Sequence, residues 1–356
     1  MDNIVYTTPK EQIEKLRRQN LIINDEDFAE IAIRQSGYSN IIKSYREPYV
    51  FSSENNKKSF RSDVTFERIC SLYLLDKNLR NGVMAAMQDL EEHIKEAAAD
   101  VIASSFGTHQ DEYLKFKNYR NKKKRKHRFS LTGILETMHK ALDTNKDPIF
   151  HYKNVHGIVP PWILFKSIYF STIVNFIGLL KVPEQNKLVH RLYDLDALGI
   201  SEDKGRMLMM DSLYTALDYR NTAAHGGRIY NHTADAKFRI DEIFGDSVNR
   251  SFLGFSQLLY SLSLLEYDLP YERLSKILNE ELTRHCNAYP EDVTYLGRIL
   301  DIDITKRDLV YITPFSNKYH LDPHCSGIKN LQKIDLEDAK AQGLVPCRRC
   351  FGKTAL

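Results

Sequence analysis

Two places in this sequence carry residues whose types and spacing can do chemistry. The first is Asp218-Tyr219-Arg220-Asn221-Thr222-Ala223-Ala224-His225-Gly226-Gly227. Arginine can grip a phosphate through two parallel hydrogen bonds and stabilise the charge that develops on it. Histidine can move a proton as general acid or base near neutral pH. Together they suit cleavage of RNA, in which the 2′-hydroxyl attacks the adjacent phosphorus. That route needs no external nucleophile and no catalytic metal, and it separates RNA from DNA. Asn221 can orient a ring nitrogen or a phosphate oxygen. These residues end a helical pattern that includes Leu208, Leu213 and Leu217, with Gly226 and Gly227 as its stop. His225 is expected in the last turn, where the helix dipole favours the imidazolium. Five positions on a regular helix amount to about 140° of rotation and about 7.5 Å of rise. One helix therefore does not bring Arg220 and His225 to one face, and a second copy across a two-fold axis would complete the site. Alone, Arg-x4-His is a weak pattern that also fits a surface arginine and a capping histidine.

The second place is the C-terminal segment, with Tyr319-His320, Cys325 and Pro346-Cys347-Arg348-Arg349-Cys350. A Cys-x2-Cys knuckle points two thiolates at one ion, and Cys325 with one histidine completes a tetrahedral Cys3His set. His320 is the expected fourth ligand, with His324 as its rival. Four protein ligands make the site structural, so Zn2+ is expected here as a staple for a module too small to fold without one. The segment also resembles a small bacterial zinc module built of a strand, Tyr-His, a Cys, an Ala-x3-Gly stretch (here Ala339 to Gly343) and Pro-Cys-x2-Cys.

The elements that must position these groups are mostly helical. Thr8-Pro9-Lys10-Glu11 is a capping box with proline at the first helical position. A second helix fits Asp25 to Gln35, stopped by Gly37. From Thr65 the apolar residues Phe66, Ile69, Leu72, Leu79, Val83 and Met87 follow three- and four-residue spacing, which predicts one long amphipathic helix ending near Gly107, with Gly82 as a place for a kink. Further helical patterns begin near Leu131, Trp162, Glu184 and Lys204, and others span Phe252 to Tyr267 and Tyr271 to Cys286. The strand signal is Leu309-Val310-Tyr311-Ile312. The segment Ala288 to Thr305 is expected to be a linker, dividing the chain into a helical domain over 1–287 and a metal-binding module over 306–356.

The chain has 356 residues and a net charge of +3, so affinity for nucleic acid must come from local clustering and not from bulk charge. Such clustering occurs at Lys122, Lys123, Lys124, Arg125, Lys126 and Arg128, preceded by Tyr113, Phe116 and Tyr119. Like charges this dense resist a packed helix, so a loop or frayed helix end is expected. It can bind RNA phosphates, with the aromatics available to stack on bases; a solvated loop is the plainer alternative. Arg228 adds a further cation beside the motif. The apolar stretch Trp162 to Leu180 is interrupted by Lys166, Ser167, Ser171, Thr172 and Asn175, which fits a buried core helix and not a membrane span. The absence of an export signal and the skewed placement of the five cysteines predict a cytoplasmic protein without a disulfide framework.

The run Arg220-Asn221-Thr222-Ala223-Ala224-His225-Gly226-Gly227-Arg228-Ile229-Tyr230-Asn231 resembles the signature of the Abi-like abortive-infection proteins of the HEPN superfamily. The opening Pro9 to Leu16 followed by Leu21-Ile22-Ile23, the stretch Tyr73 to Arg80, the Glu91 and Lys95 pair and Pro160-Pro161-Trp162 are similar to other parts of that family. The resemblance implies a helical HEPN-type bundle and a homodimeric, metal-independent endoribonuclease toxin in phage defence, restrained by an RNA or protein antitoxin. Glu91 and Lys95 are either an ordinary ion pair or supports of the active-site helix. Two departures stand out: the family often has a second histidine where Gly226 stands, and a glutamate where Lys166 stands. An alternative from another class is a non-catalytic RNA-binding or interaction protein in phage defence.

Overall fold

The computed structural model describes residues 5–52, 58–122, 126–245, 248, 252–304, 309–314, 316–320, 325 and 331–351. The protein is mainly helical, with a small strand-containing module at its C-terminal end, as the sequence predicts. Where capping chemistry is explicit, the helices start as read. Thr8 caps Pro9–Arg17, with both hydrogen bonds of the box in place. Asp25 caps Glu26–Ser36 through the Phe28 N–H, and Gly37 ends that helix at a φ of 85°. The long helix runs unbroken from Phe66 to Phe106 and stops at Gly107, whose φ is 86°.

The chain divides into two compact units, 1–80 with 276–356, and 81–275. The first unit holds a core of Ile13, Leu16, Phe60, Ile69, Leu278 and Leu296, all buried. It also contains a hairpin of β1 (Val50–Ser52) and β2 (Lys58–Phe60). At its centre is a buried ionic network. Arg68 donates to both carboxylate oxygens of Asp292, at 3.1 and 2.7 Å. The Tyr49 hydroxyl donates to the same carboxylate at 2.6 Å, and the His285 ring lies 3.0 Å from it. The other ring nitrogen of His285 is 2.8 Å from the Ser71 hydroxyl. Nε2 therefore donates to Asp292 and Nδ1 accepts from Ser71, the assignment that satisfies every group. Asp292 belongs to the segment expected to be a linker. That segment instead carries a 3-10 turn, Pro290–Asp292, and a helix, Val293–Leu300, which buries Leu296 and Leu300.

The C-terminal part of this unit is a four-stranded sheet in the order β5-β3-β4-β6, with β3 (Leu309–Ile312), β4 (Lys318–His320), β5 (Gln332–Asp335) and β6 (Val345–Pro346). β3 pairs antiparallel with β4 and β5, and β4 pairs parallel with β6. Val310, Ile312, Tyr319 and Ala339 form its core. Ala339 belongs to the helix Leu336–Ala341, which closes through the Gly343 N–H on Lys340 and the Leu344 N–H on Ala339.

In the second unit the helix Glu202–Ala224 packs against Val182–Leu192, Phe170–Ile177 and Phe255–Ser263. It buries Leu208, Met209, Leu213, Ala216, Tyr219 and Ala223. The stretch Trp162 to Leu180 is not one helix. It forms Pro161–Leu164, a 3-10 turn at Phe165–Ser167, an extended Ile168 and then Phe170–Ile177. Phe165 and Phe170 are both buried, whereas Lys166 is exposed and Tyr169 is 78% exposed. Phe165 and Phe170 would lie about 140° apart on a straight helix, with Lys166 and Tyr169 between them. The break allows both phenylalanines to pack. Among the described residues no helix is long and apolar enough to cross a membrane.

Candidate functional sites: a cleft beside Arg220 and a Cys3His cluster

The helix Glu202–Ala224 ends as a glycine-closed cap. The Gly227 N–H bonds to the Thr222 carbonyl at 2.8 Å and the Gly226 N–H to Ala223 at 3.1 Å, the paired bonds of a Schellman motif. Gly226 has a φ of 73°, and a Cβ on Gly227 would meet the Thr222 methyl at 2.6 Å. Both glycines thus follow from the turn, and the turn places His225 at the C-cap. Its φ of −90° and ψ of 9° already lie outside the helix, and its side chain is exposed. Gly226→Ala should lower stability by about 1 kcal/mol through left-handed strain, and Gly226→Asn by less. A shift of the urea midpoint at unchanged slope would measure this, and no shift for alanine would refute the cap.

Arg220 points elsewhere. It lines a cleft of about 1020 Å³ within the second unit. One wall is the face of the long helix that carries Met84, Gln88, Glu91, Glu92, Lys95 and Glu96, positions that recur at helical spacing. Trp162, Phe165 and Lys166 form another part, and His93 and Tyr267 complete it. Glu91 and Lys95 are an ion pair at 2.7 Å, with side chains only 20% and 13% exposed. The pair therefore sits in the cleft beside Arg220. Arg220 is half-buried and makes no hydrogen bond or ion pair among the described residues. A guanidinium has five donors, and leaving them unmet in a recess is costly unless an anion or water meets them. Lys166, where the family often has glutamate, adds to the cleft a second cation that has no partner among the described residues.

His93 and Tyr267 escaped the sequence reading. Their rings stack at 4.4 Å and 22°. Burial, with the nearby Arg191 cation, lowers the His93 pKa, so the ring is neutral at neutral pH. The available signal was the charged face at 91, 92, 95 and 96 on a helix otherwise rich in apolar residues.

Asn221 does not join Arg220. It lines a separate recess with Asp211, Asp218, Asp235 and Arg239, in which Arg239 pairs with Asp211 at 2.7 Å. His225 lines neither recess. His232, just past the motif, packs edge-on against Tyr219 and approaches Thr222 at 3.3 Å, which holds the chain after the cap against the helix. In the basic run, Lys122, Lys126, Arg128 and, beside the motif, Arg228 are exposed. Arg128 covers the Phe129 ring, in a 3-10 turn at 127–129. Lys123, Lys124 and Arg125 lie outside the described residues. Of the three aromatics offered for base stacking, Tyr113 and Tyr119 are buried and so unavailable, because their hydroxyls bond to the Val159 and Tyr113 carbonyls. Phe116 is exposed. Arg120 is also structural, with its guanidinium 2.9 Å from Gln185.

The C-terminal cluster brings together the four residues named from sequence. One ligand atom each from His320, Cys325, Cys347 and Cys350 lies within 4.8 Å of the others, and all four residues are buried. The sulfurs of Cys325 and Cys347 are 3.9 Å apart, and Cys350 Sγ is 3.8 Å from His320 Nδ1. Tetrahedral zinc with bonds of about 2.3 Å to sulfur sets ligand atoms about 3.8 Å apart, so the residues fit such an ion. Burial and the neighbouring thiols push the Cys325 pKa up. Cys347, against the effect of burial, is held below its ordinary value by the backbone N–H groups of Cys350 and Arg349. His324 lies outside the described residues, whereas His320 is part of the cluster and turns Nδ1 toward Cys350 Sγ.

The fold and these two sites define a mainly helical protein with a cleft lined by Arg220 and a Cys3His cluster that could hold a metal ion. Residues 32–231, more than half of the chain, match the family described as Abi-like protein. The chain belongs to that family, which points to a role in abortive infection, a form of phage defence. No curated protein and no solved structure matches it.

Proposed function

We propose that this protein is a HEPN-type endoribonuclease toxin of an abortive-infection or toxin–antitoxin system, active as a cytoplasmic homodimer. The observation that carries this reading is the half-buried guanidinium of Arg220 in a cleft, without a partner among the described residues, on the helix whose C-cap is His225. Arg220 binds the scissile phosphate, and Glu91 and Lys95 support it. His225, free at the helix end, moves the proton of the 2′-hydroxyl or of the leaving oxygen. Because His225 lies outside the Arg220 cleft of its own chain, the reactive site combines Arg220 of one copy with His225 of a second. Asn221 lines another recess of its own chain and acts from the copy that supplies His225. The exposed Lys122, Lys126, Arg128 and Arg228 attract the RNA backbone, and an RNA or protein antitoxin restrains the enzyme. The chemistry runs through the substrate's own hydroxyl, with no metal in the reaction.

His320, Cys325, Cys347 and Cys350 hold a structural Zn2+. When bound, the ion cross-links β4, Cys325 and the Cys-x2-Cys knuckle. Metal analysis of reduced protein should give one zinc per chain. Cys347→Ser should abolish binding and make the module sensitive to protease. Reduced wild-type protein without zinc would remove the assignment.

The test of the main proposal is digestion of total cellular RNA by purified protein in EDTA, once the fold is shown to survive chelation. The expected products carry 2′,3′-cyclic phosphate ends. No cleavage by protein freed of bound RNA would favour a non-catalytic RNA-binding protein.

A further inference from the structure

The chemistry of the Arg220 cleft specifies more than a phosphate. Its volume of about 1020 Å³ is at the upper end of what holds a small ligand, about 300–1,000 Å³. It offers aromatic surface: Trp162, and the His93 ring stacked on Tyr267. Such surface takes up any unpaired base, because every base has a π-face. The carboxylates are what discriminate. Asp89 is neutralised by Arg273 at 2.8 Å, and Glu91 by Lys95 at 2.7 Å. Glu92 and Glu96 also line the cleft, yet neither makes a hydrogen bond or ion pair among the described residues. Two free carboxylates near a phosphate site only repel the ligand unless they meet donors on it. Guanine alone presents two adjacent donors, N1–H and N2–H, on its Watson–Crick edge. Adenine and cytosine set one amino group beside an acceptor, and uracil sets its N3–H between two carbonyls.

We infer that this cleft is a subsite for one unpaired guanine ribonucleotide, with phosphate on Arg220 and Lys166, the base on the aromatic wall and its edge on Glu92 or Glu96. This rests on the reading that the chain acts on RNA, and it adds a base preference at the cut site.

Trp162 is the sole tryptophan, so its emission reports directly on the cleft. The full-length, zinc-loaded protein would be titrated with the 3′,5′-bisphosphates of the four ribonucleosides. The expected result is saturable quenching, with guanosine bisphosphate bound about five- to 150-fold more tightly than the others, as one bidentate pair discriminates. Glu92→Gln/Glu96→Gln, at two exposed positions, should bring the four affinities together. Arg220→Ala should weaken all four. No saturable quenching by any of them, equal affinities in the wild type, or a guanine preference that survives the double substitution would overturn the subsite. The titration contains no cleavage step. Guanine binding without RNA cleavage would fail the nuclease and leave the subsite standing; cleavage without quenching would fail the subsite alone.

Discussion

His225→Ala is expected to lower the rate of RNA cleavage by about 10²- to 10⁴-fold, the usual share of a positioned general acid or base. The substitution is clean because the cap it occupies is built from backbone. The bonds that close the helix run from the N–H groups of His225, Gly226 and Gly227 to the carbonyls of Asn221, Ala223 and Thr222, and none uses the imidazole. Unchanged thermal unfolding should therefore accompany the loss of activity. Arg220→Lys keeps the charge but loses the fork that grips two phosphate oxygens, and should also be slow. The proposed sharing of the site between two copies has a sharper consequence. Arg220→Ala and His225→Ala proteins, each inactive, should regain up to about a quarter of wild-type activity when mixed and allowed to exchange subunits. Half of the randomly formed dimers are then mixed, and each of these rebuilds one site of two. A mixture that exchanges subunits and stays inactive would place both residues in one chain's site and end the composite model. Full activity in His225→Ala alone would end the catalytic role of the histidine.

Local signals were legible in the sequence and long-range pairings were not. The Thr8 box, the Gly107 stop, the Gly226-Gly227 cap and the Leu309–Ile312 strand each rest on residues within one turn or one strand, and each appears as read. The Cys3His set was legible because only a metal site requires those residue types together. The cleft was half legible. Arg220 is read from the Arg-x4-His spacing and Glu91 and Lys95 from the family resemblance, whereas His93 and Tyr267 meet only because the helices that carry them fold together. The helix expected over Trp162 to Leu180 failed because hydropathy recorded an apolar run without its phase, and phase decides whether Phe165 and Phe170 can share a face. Asp292 was missed for two reasons. Aspartate is rarely buried, and its arginine partner lies 224 positions away.

That missed residue carries the largest stability prediction. Asp292→Ala should destabilise the protein by about 3 kcal/mol, because it strips Arg68, itself only 3% exposed, of its one buried counter-charge, leaves it only the exposed Asp63 at 3.2 Å, and removes the acceptor for Tyr49 and His285. Replacing both ions with apolar residues, as in Arg68→Met/Asp292→Leu, should cost less than the single Asp292→Ala change, since no orphaned charge remains. The ionisation of Asp292 adds a pH signature. Burial alone would raise its pKa, but hydrogen bonds from His285, Arg68 and Tyr49, with the Arg68 charge, hold it at about 2. An unfolded aspartate titrates near about 3.9. As pH falls the unfolded chain therefore takes up the proton first, and the native state loses stability between roughly pH 4 and pH 2. The contribution, about 2 kcal/mol, is fully present above that window. The gap in unfolding free energy between wild type and Asp292→Asn should accordingly be wide at pH 7 and close toward pH 2. Acid also releases metal from thiolates, but both proteins carry the same cysteine cluster, so that loss cancels in the difference. A gap that stayed constant from pH 7 to pH 2 would mean that Asp292 does not hold its charge in the core, and that the network rests on shape and neutral hydrogen bonds.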